Sequence, residues 1–171
     1  GDTNAAMQRG DAAIAAFVAQ GDRRMEGAAR LYRALFLTMD RQLDRAEKEM
    51  RTTIEASALT PPLRAYALAV LGRIMLTGST PHRAEGPLRE AIDMLDALGG
   101  IEEGESYVRL AFAEGLVAVD DREAARVAFA TARVRIMDRA AMIPDPVWKS
   151  SFLEAVQENA RTLELARAWR A

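Results

Sequence analysis

Apolar residues recur along this chain at intervals of three and four, in stretches of one to two dozen residues. Leu31, Ala34, Leu35 and Leu37 form one such stripe, and Ala67, Val70, Leu71 and Met75 form another. That spacing places one apolar face on a helix of 3.6 residues per turn. Between the stripes lie runs with turn, cap or breaker chemistry: Gly21-Asp22, Asp40-Arg41, Thr60-Pro61-Pro62, Gly78-Ser79-Thr80-Pro81, Gly99-Gly100, Asp120-Asp121 and Ile143-Pro144-Asp145-Pro146. The pattern predicts helices over 3–20, 22–39, 42–57, 61–77, 81–98, 102–119 and 122–142, with two shorter ones over 146–155 and 159–170. No stretch reads as a strand, so the expected fold is all-α, with eight or nine helices.

Two of these helices are near copies. "LDRAEKEMRTTI" at 43–54 and "PHRAEGPLREAI" at 81–92 share Arg-Ala-Glu followed four residues on by an apolar group. Taken in pairs, the helices repeat a set of positions. The first helix of each pair carries a small residue at mid-length, Ala34, Gly72 or Ala113. The second opens on Ala46, Ala84 or Ala125, followed by Met50, Leu88 or Phe129, and two of the pairs add Ala91 or Ala132. Small residues let antiparallel helices approach closely, and the larger residue fills the hole between one pair and the next. Gly86-Pro87 falls inside the fifth helix, which either kinks there or starts near Gly86. The register of Ala84 favours the kink.

Composition narrows the class. Half the residues are hydrophobic, 28% are charged and the formal net charge is −2, as in a folded, water-soluble chain. Abundant alanine with only 6% aromatic residues suits closely packed helices better than sheets. The chain has no cysteine, which excludes disulfides and thiolate chemistry. No apolar run reaches the roughly 18 residues needed to span a bilayer, and residues 1–4 lack the features of a signal peptide. A cytoplasmic setting is expected. Gly1 without an initiator Met reads as the start of a fragment cut from something longer.

The small residue, Ala, large apolar, Ala pattern across a helix-turn-helix resembles the tetratricopeptide repeat, with "LGRIM" at 71–75 and "AEGPLREAI" at 84–92 as the best matches. The long period is similar to the variant found in maltose-regulator-type bacterial signalling proteins. "SFLEAVQENARTLELARAW" at 151–169 resembles the closing segment of helical repeat regions attached to bacterial serine/threonine kinases and ATPase modules. The resemblance implies antiparallel helix pairs stacked as a right-handed superhelical solenoid in one domain, 1–171. Its expected parts are an orphan helix at 1–21, pairs at 22–59, 60–100 and 101–143, and capping helices at 144–171. It further implies a non-catalytic interaction or scaffold module of a signalling protein. The alternative it implies is a small-ligand sensor that binds an effector within the superhelix.

The residues offer no catalytic constellation. His82, the sole histidine, adjoins Pro81 at a helix start and reads as solvated. Glu102, Glu103 and Glu105 crowd one helix start, where acids complement the macrodipole. "GGIEEG" lacks the Lys and the preceding strand of a phosphate loop. Arg122, Arg126, Arg133, Arg135 and Arg139 give the seventh helix a basic look, but Asp121, Glu123 and Asp138 interrupt it. A solvated face is expected, not a nucleic-acid surface. No metal, cofactor, nucleic acid or membrane is expected.

What remains is the face made by stacking. In tetratricopeptide arrays the first helices line a concave groove for a partner segment. All three tyrosines, Tyr32, Tyr66 and Tyr107, fall on first helices, and Leu35, Arg73 and Glu114 share that register. These six are the candidate groove, open to a protein, a peptide or another domain of the parent chain. Ile14, Phe17 and Val18 on the first helix have no preceding repeat to cover them, so weak self-association is expected there. At the other end Trp148, Phe152, Leu163 and Trp169 are expected to close the last hydrophobic face.

Overall fold

The structure, a computed structural model, describes residues 3–56, 60–79 and 81–171. Gly1, Asp2, Thr80 and residue 57 of the third expected helix lie outside them. Among the described residues there are nine α-helices and no strand: α1 (Thr3–Gln20), α2 (Arg23–Met39), α3 (Leu43–Ala56), α4 (Pro61–Thr77), α5 (Glu85–Ala97), α6 (Glu105–Ala118), α7 (Arg122–Ala141), α8 (Pro146–Glu154) and α9 (Gln157–Ala168). No described helix is long and apolar enough to cross a membrane.

The helices stop where turn chemistry stops them. Gly21, Arg41, Gly99 and Asp120 adopt left-handed backbone, at φ of 70°, 62°, 71° and 59°. After each, the next amide donates back to a carbonyl five residues earlier: Asp22 to Phe17, Gln42 to Leu37, Gly100 to Leu95 and Asp121 to Leu116, at 2.9–3.1 Å. This closure satisfies carbonyls that a helix end leaves orphaned. New helices then begin on acceptor side chains. Asp22 receives the Met25 amide, Asp121 that of Ala124, and Asp145 those of Val147 and Trp148.

The kink expected at Gly86-Pro87 does not occur. A short 3-10 turn, Pro81–Ala84, leads straight into α5, whose first residue is Glu85. Pro87 therefore sits in the first turn of the α-helix, where its missing N–H leaves no intrahelical bond unmade. Ala84 stays buried with right-handed helical backbone, so it keeps its register although α5 itself starts at Glu85.

Every helix packs against its neighbour in sequence, and a second set of contacts joins α2 to α4, α4 to α6 and α6 to α9. The residues of the repeated pattern are all buried: Ala34, Gly72 and Ala113; Ala46, Ala84 and Ala125; Met50, Leu88 and Phe129; Ala91 and Ala132. The closest fit is around Leu88 of α5. A Cβ added at Gly72 of α4 would lie 2.4 Å from the Leu88 side chain, and one at Gly115 of α6 would lie 2.4 Å from its Cδ1. Leu88 thus occupies a socket between two first helices that only glycine leaves open. α4, at the centre, is apolar on nearly every side, with Ala65 and an almost continuous run from Ala67 to Met75 buried.

Polar ties reinforce this packing. Arg30 bonds Glu26 at 2.8 Å and Glu49 at 2.9 Å, while Arg33 pairs with Glu49 and with Asp11, which links α1, α2 and α3. Near the α5–α6 turn, Glu105 is only 2% exposed and faces three guanidinium groups: Arg109 at 3.0 Å, Arg135 at 2.9 Å and Arg139 at 2.6 Å. Burial alone would raise the Glu105 pKa. Hydrogen bonds from Arg135 and Arg109 and the charges of Arg139 and Arg109 outweigh it and hold the carboxyl below its ordinary value. Glu105 is therefore more than a macrodipole acid, and Arg135 and Arg139 are not simply a solvated face.

The ends differ from expectation in detail. Trp169 packs on Phe129 with ring centroids 5.7 Å apart, but Trp148 is 73% exposed and closes nothing. On α1, Ile14 is buried and Phe17 half-buried, which leaves Val18 and several alanines exposed.

Two outcomes are expected in urea denaturation. Leu88→Ala should cost about 3 kcal/mol through the cavity it leaves, and Gly72→Ala about 2 kcal/mol through overpacking. Because both act on one socket, the double variant should lose clearly less than the sum; strict additivity would contradict the socket. Glu105→Gln should cost about 2 kcal/mol at neutral pH, since it weakens the hydrogen bonds that three guanidinium groups make to one buried carboxylate. A lowered carboxyl pKa stabilises above the unfolded value of 4.5 and is lost as pH falls through the folded value. The gap between Glu105→Gln and the parent should therefore close in acid.

Candidate functional site

The contacts of α2, α4, α6 and α9 decide what the candidate residues can do. Tyr66 of α4 and Tyr107 of α6 meet with ring centroids 5.4 Å apart and planes tilted by 59°. The guanidinium of Arg73, two turns along α4, lies 5.0 Å above the centre of the Tyr107 ring. The same group pairs with Glu114 of α6 at 3.3 Å. Tyr32 of α2 donates its hydroxyl proton to Glu103 in the turn before α6. Five of the six expected groove residues therefore gather along one face. Leu35, the sixth, is half-buried and packs against the hydrophobic core, as Tyr66 does, and Tyr107 is itself a core residue, only 8% exposed.

The turn before α6 holds part of this face in place. Gly104 caps α6 at a φ of 85°, a left-handed conformation that side chains rarely adopt. A Cβ there would lie 2.5 Å from Cδ1 of Tyr66. Two constraints thus require glycine, and together they seat the Tyr66 ring against the backbone.

Two residues of the face come from α9, and sequence reading did not pick them out. Arg161 reaches Glu114 at 3.7 Å, and the Glu158 carboxylate acts electrostatically on the hydroxyls of Tyr32, Tyr66 and Tyr107 alike. The repeated pattern of small residue, Ala and large apolar residue does not extend to α9, so its place beside α6 gives no signal in the sequence. Glu103 was visible, but only as one of three acids at a helix start.

The surroundings hold these phenols neutral. For Tyr32 the hydrogen bond to Glu103 comes first, then burial and the charges of Glu103 and Glu158, which push its pKa up to about 12. Burial comes first for Tyr66, and neighbouring phenolate and carboxylate charge raises it further. Tyr107 is raised to about 12, chiefly by burial; Arg73 opposes the rise, and Glu158 and Glu114 add to it.

Beyond the tyrosines, Arg73, Glu114, Arg161, Phe129 and Trp169 line a cleft of about 420 Å³. A second cleft of about 600 Å³ opens between α5 and α7, over Phe112 and Leu116 of α6. Among the described residues, no three His, Cys, Asp or Glu side chains converge so as to hold a metal ion.

In an alkaline titration followed by near-ultraviolet absorbance, Tyr32 and Tyr107 should ionise near pH 12 in the folded protein. The unfolded chain should ionise near 10. A raised phenol pKa stabilises fully below the unfolded value and is lost as pH rises through the folded one, so stability should fall between about pH 10 and 12. Glu158→Gln should lower all three midpoints; native tyrosines that titrate together near pH 10 would contradict this geometry. No protein-family model matches the chain, and neither a curated protein nor a solved structure matches it.

Proposed function

We propose that this chain is a non-catalytic docking module, a tetratricopeptide-like stack of helix pairs that receives a partner protein along the face of α2, α4, α6 and α9. One observation carries the reading: helices from three successive pairs deliver Tyr32, Tyr66, Tyr107, Arg73 and Glu114 to a single face. Tyrosine and arginine offer large contact area with a polar handle, which makes them frequent anchors of protein interfaces. Tyr32 remains 45% exposed, accessible to a partner.

A stack of helix pairs is supported by the row of contacts through α2, α4 and α6, with α3 packed on both α2 and α4 and α5 on both α4 and α6; its right-handed course is what the resemblance implies. The resemblance at 151–169 supports a bacterial signalling parent that carries a kinase or ATPase module, and the cysteine-free sequence suits a cytoplasmic setting. Exposed Val18 and the alanines of α1 support weak self-association at that end.

A second reading, a small-ligand sensor, draws on the cleft of about 420 Å³. That volume fits a metabolite between Arg73, Arg161 and Trp169.

The test is selection of displayed random peptides against the protein, with the winners measured on a Tyr66→Ala, Arg73→Glu variant of unchanged helical content. Docking predicts enriched peptides whose affinity falls at least tenfold on the variant, about 1.4 kcal/mol. Peptides that bind the variant equally well, or no enrichment at all, would overturn it. A metabolite that raises the melting temperature of the parent but not the variant would favour the sensor.

A further inference from the structure

A second surface lies outside the docking face, between α5 and α7. These two helices do not pack on each other among the described residues, and Ile92, Phe112, Leu116 and Ala128 line the cleft of about 600 Å³ that separates them. One step earlier in the stack the corresponding gap is crossed. There Arg64 of α4 donates to the Ile54 carbonyl at 2.9 Å and to Glu90 of α5 at 2.7 Å, which ties α3 to α5. Arg109 of α6 bonds Glu105 on its own helix and Asp96 of α5, and reaches nothing on α7. The later gap therefore stays open.

The chain also carries an apolar projection that it does not cover itself. Met142, Val147 and Trp148 are each about three-quarters exposed, around the turn from α7 to α8. Single exposed apolar side chains need no explanation, but an exposed tryptophan adjoining other large apolar groups marks a contact surface. Tryptophan is enriched among the residues that anchor protein interfaces.

Charge gives cleft and projection a mutual orientation. At the mouth of the cleft Arg89 meets Glu85 at 3.6 Å, Asp96 meets Arg109 at 3.2 Å and Glu123 meets Arg126 at 2.7 Å. Asp121 caps α7 by accepting the Ala124 amide and has no cation partner among the described residues. Lys149, next to Trp148, has no carboxylate partner among them either. One uncompensated negative charge thus stands at the cleft, and one uncompensated positive charge on the projection.

From this match we infer that the cleft between α5 and α7 receives Val147 and Trp148 of a second copy of this chain, with the Lys149 of that copy beside Asp121. The inference does not depend on the docking reading, and the contact differs from self-association through α1. Apolar fit supplies the affinity, while an exposed ion pair contributes mainly the direction of approach. The cleft is ample for two side chains, since sites of ~300–1,000 Å³ enclose whole small molecules. An interface built on so few anchors buries less than the roughly 1,200 Å² of a stable complex. The association is accordingly weak and depends on concentration.

The experiment is sedimentation of the whole chain over a rising concentration series. The parent should show a rapid equilibrium between monomer and larger species, and Trp148 emission should move to shorter wavelength as that side chain leaves water. Trp148→Ala and Val127→Lys, which places a charged side chain in the cleft, should each weaken association at least tenfold. Both positions are exposed, so both variants keep the helical content of the parent. Lys149→Glu should weaken it about threefold. The decisive sample is a mixture: Trp148→Ala keeps the cleft and Val127→Lys keeps the projection, so equal parts of the two should associate where neither does alone, and stop at two chains.

Three results would overturn the inference. The first is a monomer at every concentration. The second is association that both variants retain, which would place the contact elsewhere, the end of α1 included. The third is association that each variant loses and the mixture does not regain, which would mean that Trp148 and the cleft meet different occupants.

Discussion

Leu88 in its socket between Gly72 and Gly115 sets the distance at which α4 and α6 stand, and the rest of the molecule is arranged around that distance. A methyl group on either glycine would collide with the leucine, and a smaller side chain at 88 would leave a hole. The closeness of α4 to α6 is also what brings Tyr66 to Tyr107 and Arg73 to Glu114. The packing on one side of these helices therefore prescribes the chemistry on the other. Neither aromatic contact belongs to a single helix pair, so the face exists only when pairs are packed together.

Three acids in one short segment show how position separates roles that composition cannot. Glu102 is exposed to solvent. Glu103 accepts the Tyr32 hydroxyl proton and places its carboxylate beside that ring. Glu105, one residue past the left-handed Gly104, is buried and held by arginines from α6 and α7. A buried ion cluster of this kind adds little net stability compared with apolar packing, but breaking it is costly. Its contribution is to fix how the turn before α6 lies, and with it both Gly104 and the Tyr66 ring that rests there.

Much of this was legible in the sequence, for physical reasons that vary with the feature. The buried Ala, Gly and large apolar positions repeat, and repetition exposes packing sites that one helix alone would not reveal. Helix ends at Gly21, Gly99 and Asp120 could be read because left-handed closure selects few residue types. The start of α5 was less legible, since Pro87 is compatible both with a kink and with a first turn. Of the arginines on Glu105, Arg109 is one turn along α6, but Arg135 and Arg139 lie 30 and 34 residues away in sequence, and only the packing of α6 on α7 brings them there. Of the two tryptophans, Trp169 finds Phe129 while Trp148 points outward, a distinction that no local pattern carries. Register brought the expected residues to neighbouring positions but did not tell which of them the core absorbs: Tyr107 is buried, Leu35 and Tyr66 pack against the core, and Glu158 and Arg161 arrive on a helix outside the repeat.

With only three tyrosines and two tryptophans in the chain, the proposed docking face can be tested directly. The decisive measurement is the ring resonances of isotopically labelled tyrosine and tryptophan, followed by NMR as a selected peptide is added. The account predicts that Tyr32, Tyr66 and Tyr107 shift together at one affinity while the exposed Trp148 stays still. Tyrosines that do not move, with the response confined to Trp148 or absent, would contradict it.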